Sequence, residues 1–109
     1  MNENDYVELL STQLRKGFLA YCVLKVLSHG EVYTSDILKR LHSANLVVVE
    51  GTIYPLLSRL HKDGLLLYEW QESEQGPPRK YYRLSEYGER ITERLGESID
   101  ELNKTMKKL

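Results

Sequence analysis

Apolar residues fall at helical spacing in four stretches of this chain, and a stretch of bulky residues with a turn-rich interruption lies before the last of them. In the first, Leu10, Leu14, Phe18, Tyr21, Cys22 and Leu24 keep one face, which predicts a helix over 5–28. Gly17 weakens it by roughly 1 kcal/mol relative to alanine, and Gly30 is placed as its C-cap. A second helix is expected to begin with Thr34 or Ser35 as N-cap, to bury Ile37, Leu38 and Leu41, and to end near Ser43. The third has Ile53, Leu56, Leu57 and Leu60 at i, i+3, i+4, i+7 and stops at Asp63-Gly64. Its start is open. A cap at Thr52 leaves Pro55 in the first turn; a start at Val49 or Glu50 puts Pro55 deeper and bends the helix.

Leu65 to Gln71 reads as a strand, Glu72 to Pro78 as a loop of turn formers, and Arg79 to Leu84 as a second strand, together a hairpin. Of Tyr81 and Tyr82, adjacent on that strand, one is expected in the core and the other outside. The last 25 residues read as a helix with Ser85 as N-cap and with Glu86–Arg90 and Asp100–Lys104 as i, i+4 pairs. Leu95, Ile99, Leu102, Met106 and Leu109 are spaced 4, 3, 4, 3, a coiled-coil seam. At about 1.5 Å per residue such a helix is close to 40 Å long, too long to bury its seam against so small a body. The fold class that follows is mainly α with a small β-hairpin: a winged helix-turn-helix over 1–84, its first helix contributing Leu10, Leu14 and Phe18 to a homodimer interface, and a dimerisation helix over 85–109.

On a helical wheel, the face of the third helix opposite its leucines carries Gly51, Tyr54, Pro55, Ser58 and Lys62, flanked by Thr52, Arg59 and His61. Hydroxyls and cations on the outside of a short helix suit a major-groove reader. The same face would also serve as an ordinary solvated surface. Gly51, bare of side chain, lets the helix N-terminus approach a phosphate. Arg79 and Lys80, behind the stiff Gly76-Pro77-Pro78, are candidates for phosphate contact at the hairpin tip. Thr34, Ser35 and Lys39 are candidates for DNA-backbone contact from the second helix, and equally suit a solvated surface.

The composition sharpens this only locally. With 41% hydrophobic and 28% charged residues, the chain has the make-up of a soluble domain. No apolar run reaches a membrane span, and the acidic first ten residues do not form a signal peptide. One cysteine, Cys22, in an apolar run, fits a reducing cytoplasm and an inert thiol better than a redox switch. The net charge of −1 hides an asymmetry: residues 1–10 carry −3, residues 11–48 carry +3, and Glu69, Glu72 and Glu74 precede Arg79, Lys80 and Arg83. His29, His42 and His61 are scattered, and no nucleophile elbow, HExxH or phosphate loop is present. No enzyme activity, metal or cofactor is expected.

Gly51-Thr52-Ile53-Tyr54-Pro55-Leu56-Leu57, Arg59-Leu60, Lys62-Asp63-Gly64-Leu65, Trp70, Ser73-Glu74, Gly76-Pro77-Pro78-Arg79-Lys80-Tyr81-Tyr82, Leu84-Ser85 and Gly88 resemble the PadR family of bacterial transcriptional regulators. The resemblance runs through nearly every segment. It implies a cytoplasmic, dimeric repressor of a pseudo-palindromic double-stranded operator, released by a small-molecule or stress signal. In such proteins the third helix enters the major groove and the wing touches the flanking backbone. Val49 stands where the family commonly has a polar N-cap, and Thr34 follows Tyr33 where glycine is usual. Ile99 occupies the place of the tryptophan with which some members bind flat aromatic drugs, which argues against such a pocket. The alternative is a winged-helix adaptor that docks a protein through its acidic ends; it does not require hydroxyls and cations on helix three together with a basic wing.

Overall fold

A computed structural model describes residues 1–109. Helix α1 spans Glu3–Leu27, starting two residues earlier than its apolar spacing suggests because Asn2 caps it, its Oδ1 accepting from the Asp5 N–H at 2.8 Å. After the C-cap Ser28, Gly30 turns the chain at φ 130° into a two-residue strand, β1 (Val32–Tyr33), which hydrophobic spacing does not reveal. Helix α2 is Thr34–Ser43. Thr34 and Ser35 do not cap it: Tyr33 holds the cap position and makes no side-chain bond, because strand pairing of Tyr33 already sets the extended backbone there.

Helices α2 and α3 (Glu50–Lys62) end by the same device. In Leu41-His42-Ser43-Ala44-Asn45-Leu46, the Leu46 N–H reaches the Leu41 carbonyl and the Asn45 N–H the His42 carbonyl, both at 2.9 Å, with Asn45 at φ 66°. In Leu60-His61-Lys62-Asp63-Gly64-Leu65, Leu65 bonds to Leu60 at 2.9 Å and Gly64 to His61 at 3.0 Å, with Gly64 at φ 86°. Both are Schellman closures, each with a residue tolerant of positive φ and, in this chain, a leucine at either end. The open start of α3 is settled at Glu50, with Val49 as N-cap. Pro55 is therefore the sixth helical residue and denies the Gly51 carbonyl its donor. That carbonyl lies on the exposed side, where another donor can reach it.

The hairpin is longer and tighter than the turn-forming residues suggest. Strand β2 is Leu66–Ser73 and β3 is Gly76–Leu84, leaving Glu74-Gln75 as the turn. Pro77 and Pro78 thus lie inside β3, not in a loop. One is tolerated because β1 pairs only with Tyr81 and Tyr82, leaving β3 an edge at 77–78, and the other because the ladder with β2 is irregular between Gln71 and Ser73. The sheet has three strands in the order β1-β3-β2, all antiparallel.

Val23, Leu24, Val26 and Leu27 of α1, Ile37 and Leu41 of α2, the four apolar positions of α3, and Leu66, Tyr82 and Leu84 of the sheet form the core. Helix α4 (Glu86–Lys108) joins it through a backbone junction. The Ser85 hydroxyl accepts from the Gly88 N–H at 2.9 Å and donates to the Gly64 carbonyl at 2.6 Å, and the buried Thr92 hydroxyl donates to the Gly88 carbonyl at 2.7 Å. The seam of α4 is divided: Ile91 and Leu95 pack on the chain's own core and Ile99 is half-buried, whereas Leu102, Met106 and Leu109 are exposed. The expected Glu86–Arg90 and Asp100–Lys104 pairs do not close; the one ion pair is Arg83 with Glu31, at 4.0 Å on the surface. No helix is long and apolar enough to cross a membrane.

Candidate nucleic-acid interface

With Ile53, Leu56, Leu57 and Leu60 buried, Gly51, Tyr54, Pro55, Ser58, Arg59 and Lys62 are all exposed. The 3.6-residue turn divides that front. Gly51, Pro55, Ser58 and Lys62 run down its middle. Tyr54 and His61 lie on the flank toward the hairpin: Tyr54 lines an open cleft beside it, and His61 touches Tyr68 of β2 at 4.7 Å between ring centroids. Thr52 lies on the other flank, lining a groove with Thr12, Arg15 and Lys16 of α1. Lys39 points to neither, lining a shallow depression with Val48, Val49 and Glu50.

The cleft holds about 490 Å³ and is walled by Tyr33, Thr34, Ser35, Tyr54, Trp70, Arg79, Lys80 and Tyr82. Three elements distant in sequence converge there: the start of α2, the front of α3 and the hairpin. Of the sequence candidates it unites Thr34, Ser35, Tyr54, Arg79 and Lys80, and leaves the others along the open face of α3 or beyond it.

Arg79 and Lys80 are not at the hairpin tip. They pair with Gln71 and Trp70, and strand alternation starts them on opposite faces, yet both side chains reach the cleft. The Arg79 guanidinium lies over the Tyr33 ring at 5.2 Å. The Lys80 ammonium lies 4.4 Å from the Tyr68 ring centroid and 5.2 Å from that of Trp70. The tip itself carries Glu72 and Glu74, both exposed, which repel phosphate. The basic pair therefore lies just behind the acidic tip, where the hairpin faces the cleft beside Tyr54 of α3.

Tyr82 is the core tyrosine, and burial pushes its phenol up. Tyr81 is half-buried against the Tyr33 ring; the adjacent Tyr33 phenol first, then partial burial and the negative charges of Asp36 and Glu31, push its own phenol up to about 12. Neither tyrosine places a negative charge beside the wing at neutral pH. Burial likewise raises the Cys22 thiol, which makes it less reactive.

Two helices joined by a short connection, the second bare on its outer face and flanked by a hairpin that carries Arg79 and Lys80, define a winged helix-turn-helix domain. The chain belongs to the PadR-like family of transcriptional regulators, whose profile matches residues 23–94. It is 52% identical to a PadR-like transcription factor from Bacteroides fragilis, covering 90% of this chain and 95% of that one with a TM-score of 0.80. A PadR family transcriptional regulator from Eggerthella lenta is 32% identical over 97% of this chain and 89% of its own, TM-score 0.80. A PadR-like regulator from Bacillus cereus is 34% identical over 88% and 94%, TM-score 0.78. No curated protein sequence matches.

Trp70 and Tyr33 wall the cleft and Tyr68 lies behind Lys80, and none of the three was among the sequence candidates. The signal was present in the i, i+2 spacing of Tyr68 and Trp70, but it acquires meaning only once Trp70 is registered against Lys80.

Proposed function

We propose that this chain is a homodimeric repressor that sets α3 of each protomer into the major groove of a pseudo-palindromic duplex. The carrying observation is the single cleft that joins the start of α2, Tyr54 of α3 and the two wing cations. In this reading Gly51, Tyr54, Ser58, Arg59 and Lys62 meet base edges and phosphates, and Thr34 and Ser35 offer hydroxyls to the backbone. Two α3 helices related by a two-fold axis contact half-sites about one helical turn apart. The test is binding to DNA from immediately upstream of the protein's own coding region, against a scrambled duplex at physiological salt. Preference for the upstream DNA is expected, and Tyr54→Ala and Ser58→Ala should narrow it. Equal affinity for both duplexes would sink the repressor reading.

Exposed apolar residues support the dimer. The last turns of α1 pack beside the first turns of α4 around Tyr21 and Gly96. Away from that crossing, Tyr6, Val7, Leu10, Leu14 and Phe18 of α1, Leu102 and Met106 of α4 and the terminal Leu109 are exposed. A second copy can cover both rows. Charge favours pairing the two: Glu3, Asp5 and Glu8 accompany the first row, and Lys104, Lys107 and Lys108 the second.

Arg79 and Lys80 contribute affinity by releasing counterions from phosphate, with little regard to sequence. Arg79→Ala/Lys80→Ala is expected to weaken all duplexes alike and to flatten the plot of log affinity against log salt by roughly one unit per lost contact per protomer. Binding isotherms at several salt concentrations measure this. An unchanged slope would make this basic pair an ordinary solvated surface.

A further inference from the structure

Trp70 is 61% exposed although it is the bulkiest side chain of the protein and its only tryptophan. Strand alternation puts Tyr68, Trp70, Lys80 and Tyr82 on the same face of the hairpin as Leu66 and Leu84, which are in the core. Where β2 and β3 run past α3, that inner face loses its helical cover and becomes a wall of the cleft. Trp70 and Lys80 are the cross-strand pair at this point. The indole is held in place. Tyr68 meets it edge-on at 6.4 Å, Lys80 lies beside it, and Tyr68 rests on His61 in the last turn of α3. The column His61–Tyr68–Trp70 thus ties the wing to the end of α3.

A fixed apolar ring with a cation beside it matches a surface in which apolar sugars alternate with anions. We infer that Trp70 is a DNA-contacting residue: its indole packs on the deoxyribose of the strand bordering the groove that α3 occupies, while Lys80 meets the adjacent phosphate. The inference rests on the DNA-binding reading above. A sugar contact carries no base information and releases no counterion. Trp70 therefore strengthens binding to every duplex by the same factor at every salt concentration, in contrast to Arg79 and Lys80.

Because Trp70 is the sole tryptophan, its fluorescence reports on this site alone. The probe is a mixed-sequence DNA duplex added to the intact protein at low salt. Emission is expected to change in step with binding, and the indole to become protected from a neutral collisional quencher. Trp70→Ala should weaken binding about tenfold, the scale on which tryptophans act at interfaces, with the salt slope unchanged. Trp70→Phe should keep most of the affinity, and it serves where the alanine variant folds poorly. Unchanged emission and quenching while the wild type binds DNA, or wild-type affinity in both variants, overturns the inference and leaves the DNA-binding reading standing. A change in emission on diluting the protein without DNA places Trp70 in a protein interface and also overturns it. A wild type that binds no duplex at any salt concentration overturns both.

Discussion

Gly88→Ala is expected to destabilise the fold by about 3 kcal/mol or more, the upper end for forcing a methyl group into a packed interior. A Cβ at position 88 would overlap the Leu65 carbonyl oxygen and lie 3.0 Å from its carbon. Neither side can give way easily. The Leu65 carbonyl accepts from the Ser85 N–H at 3.0 Å, and its own N–H is tied to Leu60 at 2.9 Å by the closure of α3. Gly88 is held through its N–H by the Ser85 hydroxyl and through its carbonyl by Thr92. Every atom involved is backbone or a short, bonded side chain, so relief requires α4 to move off the sheet. For a domain of about 100 residues the midpoint of thermal unfolding should fall by roughly 12 °C or more. Thermal and denaturant unfolding followed by circular dichroism measures this. Gly17→Ala is the comparison: nothing lies within 4 Å of a Cβ there, and a helical glycine replaced by alanine gains about 1 kcal/mol. A loss at position 17 would instead place Gly17 in a close crossing with a second chain.

Leu102→Glu/Met106→Glu is expected to convert the protein to a monomer and to weaken binding to its operator by roughly 10² to 10⁴-fold, the factor by which two linked half-sites exceed one. The two side chains are 64% and 63% exposed and lie outside the core cluster. Their loss therefore leaves the chain's own packing intact, and helical content should persist. A second copy would have to bury the new carboxylates against the apolar residues of α1, which is unfavourable unless they are paired. Sedimentation measures the oligomeric state, and titration of a full operator against a single half-site measures the affinity. The half-site should bind the variant and the wild type alike. If the unaltered protein already sediments as a monomer at micromolar concentration, the dimer proposal is wrong.

The helices were legible because their determinants are local. The apolar residues of α3 recur at each turn of the helix, so its buried and exposed faces follow from spacing alone. Ser85 caps α4 by reaching only three residues ahead. The closures of α2 and α3 each span six residues. Local reading failed where a tertiary contact replaced a local one. Thr34 and Ser35 have capping side chains, but strand pairing at Tyr33 set the extended backbone before α2, so neither caps it. Pro77 and Pro78 have the chemistry of a loop, but lie in a strand because that stretch of β3 has no neighbour on its outer side and an irregular ladder with β2 on its inner side.

The sequence by itself determined the four helices, the hairpin, the exposed front of α3 and the resemblance to a regulator family, since periodicity, caps and short motifs act over a few residues. Tertiary structure alone decided the rest. Strand β1 exists because Val32 meets Tyr82, fifty residues further along the chain. Arg79 and Lys80 start on opposite faces, and Trp70 comes to stand beside Lys80, because of the hairpin register. The seam of α4 divides at Ile99 because the core ends there and helix α4 does not. Each outcome depends on which distant segment packs alongside, and the energy of that choice resides in the pair of surfaces, not in either segment alone.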